Sequence, residues 1–313
     1  MSKKLLIIDG NAIIHRAFHA IPMLATSSGQ PTNAIYGFCS MIMNLLIKER
    51  PEYIVITYDR KGKTFRDDLY TEYKATRTKA PQELYDQMPL IKDVMRAFAI
   101  PQFEVDGFEA DDIIATITHK MQADPDTREM IHCYIATGDR DAFQLITKSV
   151  SVITPKSGFK EYATYTPEKV KEEFGITPEQ FCDYKTLRGD TSDNIPGVPG
   201  IGEKTATDLL QRFETIDGIL QHLSELSPAI ARKFTEGNDS LEMSRKLVTL
   251  NHEVPIDFDL EECTTHNFDV SEITRLFDGY EFRSLVRKLG ELESKYDHDR
   301  KGETNGMLPL IFD

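Results

Sequence analysis

Two hydrophobic periods alternate along the first half of the chain. Short apolar runs, the pattern of strands buried on both faces of a parallel sheet, occur at Leu5-Leu6-Ile7-Ile8, Tyr53 to Tyr58, Cys133 to Ala136 and Val150 to Thr154, with a shorter one around Gln102 to Val105. Between them apolar residues recur at helical spacing. After Pro31, residues Ile35, Phe38, Ile42, Leu45 and Leu46 mark a helix that Pro51 stops. From Pro81, residues Leu84, Met88, Ile91, Met95 and Phe98 mark another, which Pro89 is expected to bend. A third opens at Phe108-Glu109-Ala110-Asp111-Asp112 and runs through Ile113, Ile114, Ala115 and Ile117. Strand and helix in alternation predict an α/β fold, a mainly parallel central sheet flanked by helices. Near Thr166-Pro167 the character changes, and short helices alternate with turns through about Gly290. The reading is therefore an α/β domain over 1–170, a helical domain over 171–292, and a flexible tail over 293–313, charged and Gly-containing from Ser294 to Asn305.

Length and charge narrow the class. A chain of 313 residues suits two domains. Leu5 to Ile8 is too short for a signal-peptide core and leads straight into Asp9, and no run approaches a membrane span. Cys39, Cys133, Cys182 and Cys263 have no paired spacing, which predicts reduced thiols in the cytoplasm and argues against zinc. The formal charge of -14 speaks against a polyanionic partner until its distribution is considered. From Arg60 to Lys79, seven bases (Arg60, Lys61, Lys63, Arg66, Lys74, Arg77, Lys79) face three acids (Asp67, Asp68, Glu72), with Phe65, Tyr70 and Tyr73 interleaved. With no clean apolar face, this basic segment is expected to be mobile or irregular and to cover a site near 60–80.

The candidate chemistry lies in the acids. Asp9, Asp59, Glu109, Asp111, Asp112, Asp139, Asp141, Asp190 and Asp193 fall where strands end or helices begin. One or two such acids are ordinary helix caps or turn residues. Three within Glu109 to Asp112 repel one another unless a cation holds them. In a parallel sheet, ligands gather beyond the carboxyl ends of the strands, where these acids converge if the fold is as read. Two magnesium ions ~4 Å apart, bound by oxygen ligands, would meet the needs of phosphodiester hydrolysis: an activated water, neutralised non-bridging oxygens and a stabilised leaving oxygen.

A second motif, Gly197-Val198-Pro199-Gly200-Ile201-Gly202-Glu203-Lys204-Thr205-Ala206, follows Asp193-Asn194-Ile195-Pro196. A Gly-x-Gly turn into a helix exposes backbone N–H groups at the positive end of the dipole and grips a phosphate without reading bases. The string looks like a helix-hairpin-helix near 190–210. It is not a Walker loop, since the spacing to Gly-Lys-Thr is wrong and no strand precedes it.

With Leu-Ile-Ile-Asp-Gly, Thr-Tyr-Asp, Gly-Phe-Glu-Ala-Asp-Asp, Thr-Gly-Asp-Arg-Asp, Gly-Asp-Thr-Ser-Asp-Asn and the hairpin all present, the chain resembles, over residues 3 to 290, the five-prime nuclease family. That family comprises the flap endonucleases and the N-terminal five-prime to three-prime exonuclease domain of bacterial DNA polymerase I. The resemblance implies a resolvase-like (PIN-like) sheet followed by a helix-three-turn-helix region. It implies that all nine acids bind metal. Asp9, Asp59, Glu109, Asp111 and Asp112 are expected to shape one metal environment and Asp139, Asp141, Asp190 and Asp193 another, a partition that the sequence does not fix. Manganese would substitute for magnesium, and a potassium ion would sit at the hairpin. The family's arch matches Phe65 to Lys79, so that Lys74 and Arg77, with Tyr73 and with Arg16 of His15-Arg16-Ala17-Phe18-His19, would meet the phosphate. Gly200, Ile201, Gly202, Lys204 and Thr205, together with Lys61, Lys63 and Arg66, would bind DNA. The implied activity is structure-specific, sequence-independent 5' exonuclease and flap endonuclease cutting at flaps, nicks or junctions in replication and repair, by a monomer. The tail Met307-Leu308-Pro309-Leu310-Ile311-Phe312 is similar to the peptides that dock replication proteins on a sliding clamp, with Met307 where that motif has Gln.

Two other classes are open to the residues. A catalytically silent junction-binding protein would lack some of the acids, and none is missing. An aspartyl-phosphate hydrolase wants an Asp two residues after Asp9, where this chain has Asn11.

Overall fold

The computed structural model describes residues 2–156, 161–265 and 268–304, the side chains of 297–304 excepted. The clamp-like segment Met307 to Phe312 lies outside them. Six strands form one sheet: β1 Lys3–Asp9, β2 Tyr53–Thr57, β3 Gln102–Phe103, β4 Ile131–Ala136, β5 Val150–Pro155 and β6 Tyr162–Tyr165, in the order β3-β2-β1-β4-β5-β6. Pairs among the first five are parallel, and β6 runs antiparallel to β5. β3 stops two residues before Val105. β6 escaped the sequence because an edge strand with half-buried positions carries no continuous apolar run.

The helices that follow β1 and β2 are α1 Gly10–Ala20, α2 Asn33–Glu49, α3 Phe65–Leu69 and α4 Gln82–Ala97, the last continuing through Pro89. After β3 come α5 Ala110–Ala123 and α6 Pro125–Met130. Beyond the sheet lie α7 Pro167–Phe174, α8 Phe181–Arg188, α9 Glu203–Phe213, α10 Ile216–Gln221, α11 Pro228–Glu236, α12 Asn238–Val248, α13 Val270–Gly279 and α14 Arg283–Thr304. None of the described helices is long and apolar enough to cross a membrane.

Strand side chains alternate between two cores. Leu5, Ile7, Tyr53 and Val55 face α5 and share one core with Phe181, Tyr184, Leu187, Leu209, Phe234 and Leu241 of the helical half. Leu6, Ile8, Ile54 and Ile56 face α1, α2 and α4 in the other. That second core also takes Ile273, Phe277, Leu285, Leu289, Leu292 and Tyr296, so α13 and α14 return to the outer face of the sheet. Thr265 donates to the Pro51 carbonyl at 2.7 Å and Phe268 meets Phe98 edge-on at 5.6 Å, which fixes the return. The chain from 293 onward, expected as tail, is therefore helical through Thr304. Its polar composition hid an inward position, Tyr296, one helical turn after the buried Leu292.

The basic segment also departs from expectation. It contains α3, closed by a Thr64/Asp67 capping box, and three buried residues, Thr64, Arg66 and Tyr73. Strand β1 sits at the centre, with chain order running outward to β2 on one side and β4 on the other. The carboxyl ends of β1 and β4 thus border the switch point where such sheets bind ligands.

Candidate active site at the carboxyl ends of the strands

β1 ends in Asp9, whose Oδ1 accepts from the Ala12 amide at 2.9 Å and caps α1. Its Oδ2 accepts from the Thr137 hydroxyl, just past β4, at 2.7 Å. Only glycine fits at position 10, because a Cβ there would stand 2.3 Å from the Tyr58 ring. Asp59, past β2, accepts from Asn11 Nδ2 at 2.9 Å and from the Ala110 amide at 2.7 Å, so it ties the β2 loop to the start of α5. Glu109 is the N-cap residue of α5 and Asp111 stands in its first turn. Asp139, after β4, accepts the Asp141 amide at 2.9 Å. Asp9, Asp59, Glu109, Asp111 and Asp139 line one cleft of about 340 Å³, with His15, Lys74 and Arg77 on its wall.

Like charges crowd this cleft. Asp111 Oδ1 is buried and has no hydrogen-bond partner among the described residues. Burial, then the charges of Asp9, Asp139, Asp141 and Asp59, push the Asp111 carboxyl well above its ordinary range. Burial likewise lifts Asp9 to about 7 against its bonds from Thr137 and Ala12, with Asp59 and Asp139 adding to the rise. A buried carboxylate oxygen left without a donor and surrounded by four acids fits a divalent cation, and an all-oxygen donor set suits magnesium. Among the described residues no three acids, histidines or cysteines already close on one point. The protein's own amides, hydroxyls and bases hold the carboxylates apart instead.

Three other expected acids lie beside the cleft, Asp190 in the wall of an adjoining recess and Asp141 and Asp193 in the lining of neither, and they are neutralised from within. Asp190 and Asp193 ride a loop whose ends meet through paired Asp190–Ile195 backbone bonds at 2.8 and 2.9 Å. Gly189 and Gly197, both at positive φ, lie so close that a Cβ on Gly197 would be 2.3 Å from the Gly189 nitrogen. Lys185, on α8, is 6 % exposed and its ammonium ion-pairs with both Asp141 and Asp190. Burial works against the ionised Asp190, but the Lys185 charge and Ser192 hydrogen bonds outweigh it and hold that carboxyl at about 2. Burial and the Asp139 charge instead raise Asp141 to about 6 in spite of Lys185. Asp193 pairs with Arg77, and Tyr73 Oη donates to Glu109 at 3.1 Å and to Asp193 at 3.3 Å. Lys74 Nζ lies 2.7 Å from Glu109 and 3.9 Å from Asp193, and Lys74 itself has a left-handed backbone, φ 55°.

Several expected site residues lie elsewhere. Asp112 is fully buried and turns away from the cleft. Its oxygens accept from Arg66 at 2.7 and 2.8 Å and from the Glu109 and Asn251 amides, so it is the anchor of an ion pair and not a cleft ligand. Arg66 in turn also donates to the Leu247 and Thr249 carbonyls, so it joins α3 to α12 and has no surface to offer DNA. Neighbours on a helix point about 100° apart, which is why Asp111 enters the cleft and Asp112 the core. Tyr73 is buried between acids and has no face on the cleft. Arg16 donates to the Lys156 carbonyl at 3.0 Å and lines a second recess beside the cleft, and Lys61 and Lys63 are exposed beyond its lining. The sequence reading missed Lys185, Thr137 and Asn11. Lys185 had a signal: it occupies the inward stripe of α8, four residues after Phe181.

At the hairpin, Gly200 is exposed at φ 81° and Gly202 caps α9 with no side chain competing for the first-turn amides. Lys204 is exposed and Thr205 half-buried. Ile201 is not a surface contact: its side chain is buried and its amide bonds the Val198 carbonyl at 2.9 Å, which locks the turn.

Two family models match in succession, the 5'-3' exonuclease N-terminal resolvase-like domain over residues 4–175 and the 5'-3' exonuclease C-terminal SAM fold over residues 176–271. DNA polymerase I of Bacillus subtilis is 37% identical over 302 residues, 96% of this chain and 34% of that protein. The chain thus spans about a third of the length of the curated relatives it matches. Among solved structures, phage T5 5'-exonuclease with bound zinc ions aligns with a TM-score of 0.63 at 21% identity, over 95% of this chain and 99% of that one. The catalytic core of Rad2 in complex with DNA substrate aligns with a TM-score of 0.57 at 14% identity, over 94% and 92%.

Proposed function

Because this chain belongs to the 5'-3' exonuclease family, we propose that it is a magnesium-dependent, structure-specific 5' nuclease, a monomer of the cytoplasm that acts as both 5'-3' exonuclease and 5'-flap endonuclease. Its substrate is DNA with 5' flaps, nicks or junctions, cut without regard to base sequence during primer or flap removal. The observation that carries this reading is the unpartnered Asp111 Oδ1 amid Asp9, Asp59, Asp139 and Asp141 at the switch point of the sheet. Two magnesium ions, or manganese in their place, supply water activation, charge neutralisation and leaving-group stabilisation when bound.

The chain's own residues divide the remaining work. Asp9, Asp59, Glu109, Asp111 and Asp139 would hold cation charge in the cleft, and Asp139, Asp141, Asp190 and Asp193 beside it. Lys74 and Arg77 line the cleft wall, paired with Glu109 and Asp193, and would offer their charges to a phosphate there. Asp112 and Arg66 keep α5 and the arch in register. Gly200, Gly202, Lys204 and Thr205 present amides and charge to duplex phosphates, the hairpin holding a potassium ion there. The divalent ions of the T5 fold neighbour and the DNA substrate of Rad2 support this assignment.

A 5'-labelled flap duplex with magnesium tests it. Short 5'-labelled products that vanish in chelator are expected. An intact substrate, or cutting undiminished by chelator, refutes the reading.

A further inference from the structure

The acids of the cleft and those beside it differ in one respect that the activity alone does not require. In the cleft the carboxylates of Asp9 and Asp111 face each other's charge, and no lysine or arginine ion-pairs with either among the described residues. Beside it, a single buried ammonium bridges Asp141, in the 3-10 turn after β4, to Asp190, in the loop after α8. Those carboxylates come from separate segments, and Lys185 Nζ stands between them where a cation bridging both would have to sit. Geometry places it there, because α8 is fixed in the core by Phe181, Tyr184 and Leu187, leaving Lys185 directed at the acids. A recess of about 580 Å³ adjoins the cleft through Asp139 and has Lys185, Arg140, Arg188 and Ser192 in its wall. It gives the ammonium a place to withdraw to without leaving polar surroundings.

We propose that the Lys185 ammonium is a built-in countercharge occupying the second cation position, so that this position fills only when Lys185 is displaced from Asp141 and Asp190. Lys185 is thus a positioning residue that sets the order of loading: the Asp9/Asp111 position first, the Asp141/Asp190 position second and more weakly. The inference rests on the divalent-cation reading above. An ammonium offsets the repulsion of the two carboxylates, and a divalent cation must compete with it for the same oxygens.

Manganese binding to the full chain, followed by the electron paramagnetic resonance of the free ion, reads both sites without any turnover. Wild type is expected to bind one ion tightly and a second weakly. Lys185→Met should tighten the second ion by roughly tenfold or more while leaving the first unchanged, since a competing charge has been removed. Lys185→Arg, which keeps the charge, should resemble wild type. Lys185→Gln, which keeps a hydrogen bond without charge, should reproduce the tightening if the Met variant does not fold. Wild-type binding with an unchanged or weakened second ion in both uncharged variants overturns the role of Lys185 and leaves the cation reading standing. No manganese binding by wild type overturns both.

Discussion

Asp111, in the cleft, and Asp190, in the recess that adjoins it, are both carboxylates, and they are held in opposite ways. Asp111 has a buried oxygen with no donor and four neighbouring negative charges. Asp190 has a lysine ammonium and the hydroxyl and amide of Ser192. The first arrangement is unfavourable for the protein alone and becomes favourable only with a cation; the second is satisfied already. The cleft between β1 and α5 is therefore built for a ligand at the expense of the fold, whereas the acids beside α8 are built to hold together without one.

The largest test of that contrast is removal of the strained acid. Asp111→Asn should lower flap cleavage by ~10³-fold or more, as loss of a charge that holds the catalytic ion does. The same variant should raise the thermal midpoint of the chelator-treated protein, because a repulsive buried charge has gone. A lowered midpoint would mean that Asp111 is partnered in solution. Lys74→Ala is expected to cost about 10²-fold in cleavage, with flap binding changed far less, if its charge acts on the reacting phosphate.

The pH dependence of stability separates Asp9 from Asp190 with opposite signs, Asp141 following Asp9. Asp9 rises from 3.8 to about 7 on folding, so between those values the folded state carries more protons than the unfolded one. Its contribution is full below about 3.8 and lost as pH climbs through about 7. Asp190, depressed from 3.8 to about 2, contributes above 3.8 and loses that contribution as pH falls toward 2. Denaturant unfolding of chelator-treated protein should therefore show stability falling from pH 4 to 7, and saturating magnesium should flatten that limb. A chelator-treated protein that gains stability over the same interval would break the contrast.

Asp111 and Asp112 draw the same contrast between adjacent residues, and they mark the limit of what the sequence disclosed. The parallel strands, their order of appearance and the acids at their ends were legible because buried strands read as continuous apolar runs and Asp9, Asp59 and Asp139 terminate them. The hairpin was legible because its glycines have specific backbone duties. Which acid of the Glu109 to Asp112 turn faces the cleft was not, since that depends on Arg66, 46 positions away in sequence, reaching Asp112 from the arch. Nor was the return of α13 and α14 to the sheet, which rests on scattered contacts such as Thr265 with Pro51. Asp112→Ala should cost about 3 to 5 kcal/mol of stability by stranding the Arg66 charge in the core. In the same variant, manganese affinity at the Asp9/Asp111 position should hold wherever the protein is folded. A loss of affinity with stability intact would restore Asp112 to the cleft.

The smallest effect belongs farthest from the acids, at the hairpin. Lys204 is exposed in the first turn of α9, whose amides are uncovered because Gly202 carries no side chain. Its charge there opposes the helix dipole, so it adds little to the fold and is free to meet a phosphate. Removing one such contact should weaken duplex binding a few-fold, equally for all sequences, and make the slope of log affinity against log salt shallower by about 1. Cleavage at saturating DNA should be unchanged, because the residue anchors duplex and touches no reacting atom. Should Lys204→Ala instead lower the saturated rate while the salt slope stays put, the hairpin would be coupled to the cleft through α8 and α9, and the division of labour between anchoring and chemistry would fail at its weakest joint.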